Sequence, residues 1–335
     1  MIFSQLIRCE VGCVAVSEKI KEIFMAGKRD SLKYAIGRVR LSGSFKTVAN
    51  HKQEAVRFVG TLRELGYGVS RWDNVSNLHV GAVVESWKAE GLSLATIKEY
   101  LSGVRAVALA YGNTKINSQN SAFGLGRRVY VNNLDKALPD GVYSAAVESL
   151  RRGNEDQQRV AAQLVLMREL GLRHEEARKF NPQKSLLKDG RLYICAGTKG
   201  GRDRMLHNPS GKQLDAARAV AKFIGKYGNS MPNGMSEKRW ESYVYKQVAA
   251  LGISRKACGV SLHGLRHAYA QARYKELTGF SPPCCFPNIK AYMLETVSIC
   301  GQEWRNVHRD AVSILARELG HNRDSVVSIY IGSCN

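Results

Sequence analysis

Acidic residues are scarce in this 335-residue chain: 29 Asp and Glu stand against 50 Lys and Arg, a formal net charge of +21. Such an imbalance points to a polyanionic partner, whether DNA, RNA or an anionic membrane surface. Long apolar runs are missing, so no membrane span is expected. Arg8 and Glu10 interrupt the apolar stretch from Met1 to Val16 and no clear cleavage site follows, so no export signal is expected. The eight cysteines form no CxxC pair and no regular framework. A disulfide scaffold is therefore not expected, and the thiols are expected to stay reduced in a cytoplasm. Internal repeats and low-complexity blocks are also lacking, which excludes solenoids and long disordered tracts.

What is present suits a folded protein of about two domains. Apolar residues make up 44% of the chain, enough for real cores. The basic residues recur along its whole length (Lys33, Arg38, Arg40, Arg151, Arg152), as on a charged face or cleft. Residues 1–28 are a leader of unclear status. Residues 29–112 read as a helical domain. Ala49, Val56, Val59, Leu62 and Leu65 recur at helical spacing. A second helix is predicted over Leu78 to Ala89. A third starts near Ser93 or Thr96, where Thr96 and Glu99 have capping-box spacing. Residues 113–138, with several Asn and Gly, read as a linker, and 139–335 as a mixed domain. There a helix with Val160, Leu164, Met167 and Leu170 on one face stops at Gly171. Leu192 to Ala196 and a return around Met205 read as a hairpin across the glycine-rich turn Gly197 to Gly201.

Four segments carry candidate chemistry. In LGLRHEEARKF (170–180), Arg173 and Glu176 are three apart, on one helix face, so the carboxylate can orient the guanidinium toward a phosphate. In GTKGGRDR (197–204), Lys199 sits at the hairpin tip, able to enter a groove or donate a proton. In SLHGLRHAY (261–269), His263, Arg266 and His267 open a helix that Ser261 is expected to cap. In ARELGHNRDSVVSIY (316–330), His321 follows a glycine stop and Tyr330 lies nine residues later on a short final helix. Taken singly these are a surface ion pair, a loop lysine, a structural histidine and a core tyrosine.

Taken in order, R-x-x-E, hairpin Lys, H-x-x-R, L-G-H and a late Tyr resemble the tyrosine recombinase or phage integrase family over roughly residues 30–335. The resemblance implies a mainly α fold with a small antiparallel β-sheet: a helical core-binding domain over 29–112 and a mixed α/β catalytic domain over 139–335. It implies a site-specific recombinase or integrase of a mobile element acting through a 3′-phosphotyrosyl intermediate. Tyr330 would be the nucleophile and Arg173 and Arg266 would clamp the phosphate. Lys199 would protonate the leaving 5′-oxygen, His263 would assist proton transfer, His321 would bond the phosphate, and Glu176 would support from behind. Arg127, Arg128, Arg202 and Arg204 are candidate DNA contacts. The implied partners are a double-stranded recombination site, wrapped in a C-shaped clamp, and further copies of the chain in a synaptic tetramer. The implied location is a bacterial-type cytoplasm or nucleoid.

The chemistry is self-consistent. Fixed Arg and His donors stabilise the charge that builds on the attacked phosphate. A tyrosine, with a free pKa near ~10, needs a base or a cationic pocket to become a nucleophile. The covalent intermediate conserves the phosphoryl bond, so neither ATP nor a metal is expected. Cys284, Cys285, Cys300 and His308 match no standard zinc spacing.

Two departures from the family stand out. The path from Arg266 to His321 carries an insertion near 278–309. Only Ile331 to Asn335 follow Tyr330, too few for a further helix. Coupling between protomers is therefore expected from the insertion or from residues 1–28. The alternative readings are topoisomerase IB-like relaxation and a basic DNA-binding protein of this fold without activity.

Overall fold

The computed structural model describes residues 30–127, 131–198 and 200–334. The leader 1–28, Arg128 and Lys199 lie outside the described residues. The chain divides into two compact units, Met1–Arg128 and Val129–Asn335. No helix among the described residues is long and apolar enough to cross a membrane.

The first unit is built from α1 (Ser31–Arg38), α2 (Phe45–Glu64), α3 (Asn77–Ala89) and α4 (Leu94–Ala110). α2 buries Ala55, Phe58, Val59 and Leu62, spaced to fall on one stripe. The expected stripe is rotated from this one: Ala49, Val56 and Leu65 are exposed, because the chain turns Phe58 to the core instead. α2 packs closely on α4 at Gly103, where a Cβ would lie 2.7 Å from the His51 carbonyl. Ser93, not Thr96, caps α4, its hydroxyl accepting from the Thr96 N–H at 3.2 Å. Ile116, Phe123 and Leu125 join this unit's core, so the first part of the expected linker is packed chain.

In the second unit, α5 (Asp140–Arg151) packs on α6 (Glu155–Leu170), whose buried face includes Val160, Leu164, Met167 and Leu170. α6 ends at Gly171 in the left-handed conformation (φ 61°), where a Cβ would meet the Tyr269 ring at 2.4 Å. A short α7 (His174–Lys179) follows. Strands β1 (Leu192–Ile194) and β2 (Arg204–Leu206) then pair antiparallel, Leu192 with Leu206 and Ile194 with Arg204. α8 (Gly211–Ala219), α9 (Glu237–Ala250) and α10 (Gly264–Thr278) complete the larger core.

A second core lies against α10. It joins Tyr269, Tyr274, Phe280, Tyr292, Trp304, Leu315, Tyr330 and Ile331. The insertion supplies α11 (Ile289–Cys300) and the first turns of α12 (Trp304–Glu318), which runs unbroken past residue 309 toward Gly320 and His321. The end drawn for the insertion at 309 therefore falls inside a helix. The last helix, α13 (Ser328–Ile331), is a single turn. One turn has no independent stability, so packing alone places it.

Candidate active site

Three short segments converge on the first turn of α10. Arg173 occupies the N-cap of α7, and Glu176, three residues on, is fully buried beneath it. The Glu176 carboxylate accepts from the Arg173 backbone N–H at 2.8 Å and from its guanidinium at 2.7 Å. The carboxylate also receives both terminal nitrogens of Arg204, at 2.9 and 2.7 Å, and lies 3.8 Å from Arg266 Nη1. One carboxylate thus organises three guanidiniums, and this positive excess holds it at about 2 despite the opposing cost of its burial.

Arg204 is consequently not a free DNA contact, as the sequence reading had it. Its guanidinium is bound to Glu176, and the residue is only 6% exposed. The cause is strand geometry: Arg204 lies on the face shared with the buried Leu206 and opposite the buried Ile194. The alternation in Arg204–Met205–Leu206 is the signal that could have revealed it. Arg202 and Arg127 are exposed.

Ser261 does not cap α10 through its hydroxyl. The Ser261 carbonyl accepts from the Gly264 N–H at 2.7 Å, and His263 occupies the cap position. Gly264 fits there because residues 136–138 pass close by, with the Leu138 N–H bonded to its carbonyl at 3.0 Å. That turn sends Arg266 inward, where it is fully buried. Its terminal nitrogens donate to the carbonyls of Gly171 and Leu319, and its Nε donates to the Tyr330 hydroxyl at 3.3 Å. Burial pulls this guanidinium down to about 10, which leaves it charged at neutral pH.

Tyr330 is 6% exposed and sits among three imidazoles. Ring centroids lie 5.9 Å away for His263, 4.9 Å for His267 and 5.7 Å for His321, whose Nε2 is 3.4 Å from Arg266 Nη2. Desolvation lowers His267 and His321 to about 4, reinforced at His321 by Arg266 and Arg173. His263 keeps an exposed edge, and partial desolvation with the charges of His267, Arg266 and Arg173 moves it the same way. All three rings are therefore neutral at pH 7 and can accept a proton. His267 and Gln271, whose Nε2 donates to the Tyr330 carbonyl at 3.4 Å, are contacts that motif reading missed. Both follow His263 at four-residue steps (263, 267, 271), which puts them along one face of α10 and was the available signal.

These groups set an acid limit on stability. A histidine whose folded pKa lies below its unfolded value binds protons more readily when unfolded. Its stabilisation is complete above about pH 6.5 and is lost as pH falls toward 4. The buried His267 alone is expected to remove about 2–3 kcal/mol between pH 7 and pH 4. Glu176 adds a further loss from pH 4.5 toward 2. Urea unfolding of the chain at pH 7 and pH 4 checks this, and equal free energies would refute it.

Two family models match the sequence. One, described as integrase, covers residues 126–272, and one, described as phage integrase, N-terminal, covers residues 31–117. No curated protein matches. Among solved structures, the XerH recombinase in a post-cleavage complex with palindromic difH superposes with a TM-score of 0.53 at 16% identity. That match covers 84% of this chain and 75% of that one. A lambda integrase tetramer on a Holliday junction gives 0.54 at 16%, covering 90% and 74%. The Tn1549 transposon integrase with circular intermediate DNA gives 0.53 at 14%, covering 91% and 96%. At such identities these likenesses concern the fold. The integrase match ends before His321 and Tyr330, which the tertiary structure brings beside Arg266. With the two models matching in chain order and these folds alongside, the chain belongs to the tyrosine recombinase family.

Proposed function

We propose that this chain is a site-specific recombinase that integrates or excises a mobile element, with Tyr330 as its nucleophile. The observation that carries the assignment of Tyr330 is its hydroxyl 3.3 Å from Arg266 Nε, ringed by neutral imidazoles. Arg266 and Arg173 hold the non-bridging oxygens of the scissile phosphate. His263 takes the phenolic proton as the Tyr330 oxygen forms its bond to phosphorus. The 5′-oxygen departs and takes a proton, a role the family resemblance gives to Lys199. Attack by the 5′-hydroxyl of another strand breaks the phosphotyrosyl bond and restores the phosphodiester, so bond energy is conserved throughout. His321 hydrogen-bonds the phosphate as its charge grows.

The substrate in this reading is duplex DNA, consistent with the +21 charge. The XerH, lambda and Tn1549 proteins of similar fold were all captured on DNA, and the lambda integrase as a tetramer on a Holliday junction. The working assembly is a tetramer of this chain, acting in the cytoplasm or nucleoid.

The test begins with sequencing the DNA the protein retains, followed by incubation with a nicked duplex of that site. A denaturant-resistant protein–DNA band is expected, unchanged by chelator, while affinity falls steeply with added salt. Tight binding with no such band would support the inactive binding protein. Relaxation of any supercoiled plasmid would support the topoisomerase.

A further inference from the structure

We propose that Asn133 and the insertion residues Cys284 and His308 position the nucleophile by clamping the chain immediately beyond Tyr330. The inference rests on Tyr330 being the nucleophile. α13 is a single turn that cannot hold its own geometry, so something must fix it from both sides. Before it, Val327 is fully buried in the core against α10. After it, three contacts follow in successive residues.

Gly332 has φ 84° and ψ 177°, a conformation that favours glycine. A Cβ there would stand 2.8 Å from the Cys284 backbone nitrogen and 2.9 Å from Asn133 Oδ1, so the tail lies directly on the insertion's first turn. Ser333 is held at both backbone groups by one side chain. Asn133 Nδ2 donates to its carbonyl at 3.0 Å, and its N–H donates to Asn133 Oδ1 at 2.7 Å. Cys334 Sγ lies 3.6 Å from His308 Nε2. The other nitrogen of that ring, Nδ1, is 2.7 Å from the Tyr274 hydroxyl, which is in turn 2.9 Å from the Tyr292 hydroxyl. Tyr274 stands on α10, the helix that carries Arg266. The insertion therefore ties the nucleophile's tail to the helix that holds the phosphate-clamping arginine. Cys284 Sγ also approaches the Tyr330 carbonyl at 3.8 Å.

Coupling between protomers was expected from the insertion or from residues 1–28. These contacts give the insertion work within one chain. Cleavage depends steeply on the alignment of the attacking oxygen, and a displacement of about 1 Å costs on the order of 10²-fold in rate.

The experiment uses the full chain with Asn133→Ala, Gly332→Ala and His308→Ala. Three quantities are read: covalent-complex formation in a single turnover at saturating nicked DNA, DNA affinity, and the rate at which iodoacetamide alkylates Cys334, followed by mass spectrometry. The clamp predicts cleavage slowed about 10-fold in Asn133→Ala and about 100-fold in Gly332→Ala, unchanged affinity, and faster alkylation of Cys334 in both. His308→Ala is expected to follow Asn133→Ala. Faster alkylation with undiminished cleavage would overturn the proposal, as would unchanged alkylation. A parallel fall of affinity, cleavage and thermal stability would also overturn it, because that marks general unfolding. Should the unaltered chain form no covalent complex, the assignment of Tyr330 fails, and the alkylation arm still decides whether the clamp exists.

Discussion

Tyr330→Phe is expected to abolish the covalent protein–DNA complex, a fall of at least about 10⁴-fold, while leaving DNA affinity unchanged. The substitution keeps the ring, which packs beside His267 and lies under the Arg266 guanidinium, with Cζ 5.5 Å from the ring centroid. Only the hydroxyl is lost, and with it the 3.3 Å bond from Arg266 Nε. That bond is long, but it is the bond that satisfies the buried Nε–H, while the Gly171 and Leu319 carbonyls hold the terminal nitrogens, so the stability cost should be about 1–2 kcal/mol. The pairing of near-native stability with lost chemistry is what identifies a nucleophile, as opposed to a tyrosine that merely fills the core. Denaturing gels on nicked DNA and urea unfolding provide the two measurements. A covalent band of undiminished intensity would remove Tyr330 from the mechanism.

Glu176→Ala should damage both stability and chemistry. The side chain is fully buried and bonds to Arg173 and Arg204, with Arg266 at 3.8 Å. Truncation leaves buried guanidiniums facing one another without a counter-charge, which costs about 3–5 kcal/mol. Mutual repulsion would then displace Arg173 and Arg266 from the phosphate position. Cleavage should drop about 10²–10³-fold even under conditions where the variant stays folded. Glu176→Gln keeps the shape and one acceptor and should lie between the two. Adding Arg204→Ala to Glu176→Ala should recover part of the stability, because it removes one of the stranded charges. Additive losses in that double variant would mean that the buried pair is not the linkage described.

Much of this molecule was legible in short windows of sequence. The α6 face and its stop at Gly171 and the hairpin around the glycine-rich turn are local patterns, whereas Arg173, Glu176, His263, Arg266, His321 and Tyr330 were legible only through their order along the chain. What packing settled was local as well: Phe58, not Val56, faces the first unit's core, and of the two candidate starts, Ser93 and Thr96, it is Ser93 that caps α4. In both cases two registers or caps compete within a few residues, and tertiary packing selects between them.

Spacing alone determined which residue types stand near helix stops and strand faces, because helix and strand periodicities and glycine stops act over a few residues. Acid scarcity likewise set the expectation of a polyanionic partner. Tertiary structure decided everything that depends on distant partners. It turned Arg204 from a presumed DNA contact into the second guanidinium on Glu176, across 28 residues. It set His267 beside Tyr330, and it closed Asn133 onto Ser333 across 200 residues. The physical reason is that a buried charge or a one-turn helix is stable only with its partners in place. Those partners are brought together by the packed core, which no local pattern specifies.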